Sequence, residues 1–243
     1  MSNTVLADLI REKLTSAGAS VVGFADISVL EPDARYSLPV GICIGVALDP
    51  GIVTRIQNGP TREYGAEYDK TNAFLDKLGS LCAQILRSYD SKSIVITSEN
   101  ARFDKSTLSA ALPNKTVATR AGIGWIGKCA LLVTKEFGSA VRLKTVLTDA
   151  DLPAGNPIDE SRCGSCRACV DVCPGRALTG KNWSAGAARS DIYDAFACYK
   201  AAKSLSDAQG ITHSICGMCI NACPWTKKYL SRSKWSSIHR RVR

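Results

Sequence analysis

From Cys163 the chain reads CGSCRACVDVCP, a C-x2-C-x2-C-x3-C-P run, and from Cys216 it reads CGMCINACP, the shorter C-x2-C-x3-C-P. This pattern constrains the fold more tightly than any other feature. Between the runs Cys198 stands alone in DAFACYKAAKS, so four, three and one thiols make the eight that two four-cysteine cubanes require. Three cysteines in a tight turn can hold three corners of one [4Fe–4S] cluster, with backbone N–H groups turned toward the sulfurs. The fourth, followed by Pro, leaves that turn and reaches the neighbouring cluster. This crossing rule gives Cys163, Cys166, Cys169 and Cys223 to one cluster (cluster I), and Cys173, Cys198, Cys216 and Cys219 to the other (cluster II). Cys198 departs from the simple ferredoxin pattern, because it precedes Cys216 by 18 residues rather than three. Zinc is the rival occupant, since CxxC pairs also bind zinc, but the compact four-cysteine run suits a cubane better.

Eleven cysteines in 243 residues, eight of them between Cys163 and Cys223, point to metal rather than disulfides in a reducing compartment. The first residues carry Asp8 and Arg11 inside their only apolar stretch, which argues against a secretory signal. The longest apolar run, VGICIGVAL, falls far short of the roughly 20 residues of a membrane span. A cytoplasmic protein without a membrane or DNA partner is expected. The net charge of +9 is concentrated in the C-terminal WTKKYLSRSKWSSIHRRVR, which has no acidic residue. Such a segment is either a solvated tail, a contact for a polyanion such as tRNA, or a dock for an acidic ferredoxin or flavodoxin.

The sequence before the cysteines predicts a mixed α/β (α+β) layer structure. LADLIREKLTSAGA reads as a helix, SVVGFAD and VGICIGVALD as strands, and the segment from Glu63 to Asp90 as a long amphipathic helix. Its apolar stripe runs through Phe74, Leu75, Leu78, Leu81, Cys82, Ile85 and Leu86, which puts Cys82 in a core, as the buried strand does Cys43. SKSIVITSE is another strand. CALLVTKEFGSAVRLKTVLTD reads as two strands joined across Phe137-Gly138-Ser139 in an antiparallel hairpin. DADLPAGNPIDES is expected to link a first domain, residues 1–155, to a second, residues 156–243.

Residues 120–128, RAGIGWIGK, spell G-x-G-x-x-G through Gly122, Gly124 and Gly127. A dinucleotide site needs a strand before the glycines and a helix after them, because the pyrophosphate rests on the helix N-terminus. The order here is reversed, so the nucleotide reading is rejected. The same stretch, with LLVTKEFGSAVRLKTVLTD, the spaced cysteines and the closing Cys-Pro-Trp, resembles epoxyqueuosine reductase, a family related to the corrinoid-dependent reductive dehalogenases. The resemblance covers about Tyr64 to Trp225. It implies a nitroreductase-like domain holding cobalamin, followed by a ferredoxin-like module with two [4Fe–4S] clusters, and reduction of epoxyqueuosine in tRNA. By position it would place Tyr64, Tyr68, Gly122, Ile123, Gly124, Trp125, Gly127 and Lys128 around the corrinoid. With only His213 and His239 in the chain, and no D-x-H-x-x-G stretch, cobalt is expected to lack a protein histidine ligand.

The family's general acid is an aspartate about a dozen residues before the arginine of RAG. Here STLSAALPNKTVATRAG offers none, and Asp104, sixteen residues before Arg120, is the nearest candidate. Fuller members also continue past the second cluster with helical repeats that grip tRNA. The readings to separate are an iron–sulfur and cobalamin-dependent reductase, an electron-transfer or corrinoid-reactivating protein, and a cluster protein with flavin in its first domain.

Overall fold

A computed structural model describes residues 3–240, with side chains from residue 4 to residue 232. In chain order the elements are α1 (Asn3–Ser16), β1 (Val21–Asp26), β2 (Val40–Ala47), α2 (Pro50–Thr54), α3 (Arg62–Arg87), β3 (Ser93–Val95), β4 (Phe103–Asp104), β5 (Ser109–Ala110) and α4 (Asn114–Arg120). They continue with β6 (Trp125–Ile126), β7 (Leu132–Val133), β8 (Val141–Thr148), α5 (Ala168–Asp171), α6 (Arg189–Ile192), α7 (Ala195–Asp207), α8 (Met218–Ala222) and α9 (Pro224–Arg240). These form two compact units that interleave along the sequence. Unit 1 comprises Met1–Val46, Thr71–Trp125 and Arg142–Asp159; unit 2 comprises Ala47–Lys70, Ile126–Val141 and Glu160–Arg243. The expected boundary at 155–156 lies near the last of these crossings.

Unit 1 is built on a four-stranded sheet of order β1-β2-β8-β3, with β1 antiparallel to β2 and β3 antiparallel to β8. Period-two alternation gives the sheet two apolar faces. Phe24, Ile42, Ile44 and Val146 meet Leu6, Ile10 and Leu14 of α1 and Leu75, Leu78, Cys82 and Leu86 of α3 in one core. The amphipathic stripe of α3 therefore packs as its spacing predicts. On the other face small residues admit α4 and the turn after it. A Cβ at Gly41 would lie 2.7 Å from Val117, and one at Gly23 would lie 2.9 Å from Ile123. Cys43 and Cys82 are wholly buried, and burial pushes both thiols up to about 12.

The hairpin expected across Phe137-Gly138-Ser139 does not form. β7 pairs with β6, while β8 lies between β2 and β3 in the larger sheet. The reason is local. Thr134 and Gly138 close an isolated bridge, and Thr134 Oγ1 accepts the Phe137 N–H, so the chain makes a closed loop instead of a ladder.

Unit 2 has its own core of Leu48, Val53, Ile56, Tyr64, Ala140, Ile211, Ile215, Ile220 and Leu230. It is helical and irregular, with α5, α8 and α9 carrying or flanking the cysteines. Among the described residues no helix is long and apolar enough to cross a membrane.

Candidate metal centre

Both C-x2-C runs enter a short helix and leave it at Cys-Pro. Cys169 sits on α5 and Cys173 follows it; Cys219 sits on α8, and Cys223 ends α8 just before α9. Proline suits that exit, since its missing N–H and fixed φ disfavour further helix but suit the first turn of a new one. Cys198 lies in the first turn of α7, where Asp194 accepts the N–H groups of Phe196 and Ala197 at 2.9 and 3.0 Å. That cap fixes the helix start and, with it, the height of the Cys198 thiol.

Cys163, Cys166, Cys169 and Cys223 line one cavity of about 130 Å³, together with Lys128, Cys129, Val133, Pro224 and Trp225. These four cysteines are the set that the crossing rule assigns to cluster I. The other set also lies close together: Cys216, Cys198 and Cys173 act electrostatically on Cys219, as does Cys169 of the first set, and the Cys219 thiol is raised chiefly by burial. Backbone N–H groups turn toward the sulfurs. Ala177 N–H points at Cys173 Sγ (3.4 Å), Met218 N–H at Cys216, and Trp225 and Thr226 N–H at Cys223. Such donors stabilise thiolates and the sulfurs of a bound cluster. Among the described residues no three Cys, His, Asp or Glu side chains form a group able to hold a single metal ion. Cys163, Cys166, Cys169 and Cys223 ring a space, which suits a cubane better than one zinc ion.

Cys129 at this cavity was not singled out for it by the sequence. Cys129 is buried, and its thiol donates a hydrogen bond to the Cys169 sulfur. That bond, followed by burial, raises Cys129 well above the ordinary thiol value. The same bond is the first cause of lowering Cys169 to about 7; the N–H groups of Cys169 and Val170 and the charge of Lys128 add to it, against burial. The position of Cys129 directly after the glycine stretch is its only sequence signal.

The glycine stretch divides between the units. In unit 1, Gly122 has φ +70° and a Cβ there would lie 2.6 Å from the Asn156 carbonyl oxygen. Across the same contact, a Cβ at Gly155 would lie 2.3 Å from the Ala121 oxygen. Ile158 N–H bonds Thr119 O at 2.9 Å, and Arg120 pairs with Asp159. The supposed linker is thus a strap seated on the glycine turn. The helix α4 precedes these glycines and β6 follows them, the reverse of a nucleotide site. Ile123 packs on Gly23, and Trp125 is 1% exposed.

In unit 2, a Cβ at Gly127 would meet Val133 at 2.7 Å, Cys129 Sγ at 3.2 Å and Cys163 Sγ at 3.6 Å. Gly127 is therefore closely packed by Val133 and the two thiols, with no room for a side chain. Tyr64 belongs to the unit 2 core, with its ring against Gly217, the residue after Cys216. Tyr68 stacks on His213 with ring centroids 4.7 Å apart, and His213 Nε2 bonds Asp69 at 2.5 Å. His239 lies outside the described side chains.

Asp104 ends β4 and is fully exposed. Its carboxylate accepts bonds from Ser106 and Thr107, which hold it below the usual carboxylate range. A proton donor needs the opposite shift.

Residues 162–226 match the family model described as a 4Fe-4S double cluster binding domain. The chain is 39% identical over 104 residues to an epoxyqueuosine reductase of Bacillus anthracis, a match covering 43% of this chain and 24% of that protein. The chain spans between 20% and 39% of the length of the first curated relatives it matches. Among solved structures, a selenomethionine-labelled epoxyqueuosine reductase superimposes with TM-score 0.61 at 22% identity, covering 93% of this chain and 67% of that one. A catabolic reductive dehalogenase gives TM-score 0.72 at 15% identity, covering 93% and 32%. The α/β fold is therefore the one these reductases share, and part of the chain is similar in sequence to epoxyqueuosine reductases.

Proposed function

We propose that the protein is an iron–sulfur and cobalamin-dependent reductase of the epoxyqueuosine reductase kind. The observation that carries this reading is the convergence of Cys163, Cys166, Cys169 and Cys223 on one cavity, beside a second four-cysteine set. Cysteines would hold two [4Fe–4S] clusters, the first on those four thiols and the second on Cys173, Cys198, Cys216 and Cys219. Two such clusters accept and release electrons singly, so the partner on the supply side is a low-potential donor of the ferredoxin or flavodoxin class.

A corrinoid, the cofactor of a neighbour described as a B12-dependent dehalogenase, would supply a reducible cobalt. The two groups fit the residues unequally. The thiols fit the cubanes. In the glycine stretch, the space at Gly122, Ile123 and Gly127 is taken by the chain's own atoms, and Tyr64 and Trp125 are core residues. No step is assigned through the corrinoid on these residues. His213 is already engaged with Asp69.

The test is a visible spectrum with metal analysis of protein reconstituted anaerobically with iron and sulfide and then incubated with cobalamin. Cobalt retained in a one-to-one ratio after gel filtration supports the proposal. About eight irons with no retained cobalt would remove the corrinoid and leave a two-cluster protein.

A second reading, an electron-transfer or corrinoid-reactivating protein without tRNA deoxygenation, is favoured by one observation. Asp104, the nearest acid to the expected proton-donor position, is solvated and held ionised. Failure to restore queuosine in a strain lacking epoxyqueuosine reductase, with cobalt binding intact, would select that reading. Restored queuosine would select the tRNA substrate.

A further inference from the structure

Lys128 and Cys129 follow each other where the chain leaves the glycine stretch, and neither belongs to the cysteine pattern. They are 5% and 7% exposed, and both line the cavity of Cys163, Cys166, Cys169 and Cys223. Among the described residues no ion pair engages Lys128. The buried stem of Lys128 lines this cavity and no ion pair takes up its charge, so that charge is left to act on whatever negative group the cavity holds. The Lys128 charge acts on the sulfur of Cys169, the same sulfur to which Cys129 donates its S–H.

The surroundings of cluster II differ. The cation acting on Cys198 is Arg189, which is half-buried, stacks over the Tyr193 ring at 4.9 Å and is opposed by Asp194. No buried lysine lies there among the described residues.

We propose that Lys128 and Cys129 set the reduction potential of the cluster held by Cys163, Cys166, Cys169 and Cys223, keeping it above the value the four thiolates alone would give. The inference rests on the cluster assignment above. Reduction adds one electron, supplied by a low-potential donor, and one negative charge to the cluster; no bond breaks and no proton moves. A fixed positive charge and a hydrogen bond to a ligand sulfur both stabilise the more negative, reduced form. Net charge and sulfur hydrogen bonds are two of the levers by which proteins tune such clusters. In a low-dielectric pocket both act with little screening. Cluster I then becomes the favoured resting place of an electron shared between the two.

The experiment is a mediated redox titration, read by EPR, of the full chain reconstituted anaerobically, with total iron measured on each sample. Lys128→Met and Cys129→Ala are each expected to lower one of the two potentials. The reduced-to-oxidised ratio of that cluster at fixed potential should fall about tenfold, which is 59 mV for one electron, with iron unchanged. Lys128→Arg and Cys129→Ser, which keep the charge and a donor, should titrate close to the wild type. Where Lys128→Met loses iron, the comparison of Cys129→Ala with Cys129→Ser decides the question. Unshifted potentials at full iron content, or a rise, would overturn the proposal. Loss of half the iron in Cys129→Ala would make Cys129 a ligand and would also overturn it. A wild type that takes up no cluster would instead remove the assignment on which the inference rests.

Discussion

Replacing Gly122 with alanine tests whether the glycine stretch is shaped by the chain's own strap. At φ +70° an L side chain costs about 1–2 kcal/mol. Its Cβ would also lie 2.6 Å from the Asn156 carbonyl oxygen, and that neighbour is backbone, which cannot rotate away. Overpacking of this kind costs about 1–3 kcal/mol. Reduced freedom of the unfolded chain returns about 0.4–1 kcal/mol, leaving a net loss of roughly 1–4.6 kcal/mol. For a chain of this size that corresponds to a fall in Tm of about 2–18 °C. The control is Gly186→Ala, where φ is +87° but nothing lies within 4 Å of the added methyl. It bears the conformational cost alone, so its Tm should fall by only a few degrees at most. Thermal unfolding of both reconstituted variants, followed by circular dichroism, compares them directly. Equal Tm values would refute the reasoning, because the contact with Asn156 would then contribute nothing.

Cys198→Ser should remove one cluster and leave the other, so iron falls to about half and the EPR signal of one cluster persists; full iron content would break the assigned ligand set. Cys43 and Cys82, with thiols at about 12, expose a thiolate fraction of about 10⁻⁴ at pH 8. Alkylation of the folded protein followed by mass spectrometry should therefore leave both unlabelled, and rapid labelling of either would contradict their burial. Asp104→Asn should leave reduction of epoxyqueuosine-tRNA, wherever the wild type supports it, within a few-fold of its rate. A loss of 10²-fold or more, the usual size of a general-acid contribution, would return Asp104 to the site.

The parts of this fold that the sequence revealed are those governed by local periodicity and fixed spacing. The apolar stripe of α3, the buried β2 strand and the cysteine runs each follow from residues close together in the chain. The gathering of Cys163, Cys166, Cys169 and Cys223 at one cavity was legible because the runs have a short, directional spacing, and the Cys-Pro exit tells which thiol leaves its turn. The readings that failed, or could not be made, depended on distant partners. The pairing of β8 with β2 and β3 was hidden because a strand's own sequence does not name its neighbour, and the Thr134–Gly138 bridge closed the loop first. The strap over Gly122 was hidden because DADLPAGNPIDES has the composition of a free linker. Only its contacts with Ala121 and Thr119 show that it is seated. The role of Cys129 was hidden for the same reason: the thiol it touches, Cys169, lies forty residues further along the chain.

The central claim is that unit 2 holds two four-iron clusters on eight named cysteines. Iron and acid-labile sulfide content of the anaerobically reconstituted chain, measured with zinc in the same sample, tests it most directly. About eight irons and eight sulfides per chain, with zinc near zero, are expected. Two zinc ions per chain, or iron without labile sulfide, would contradict it.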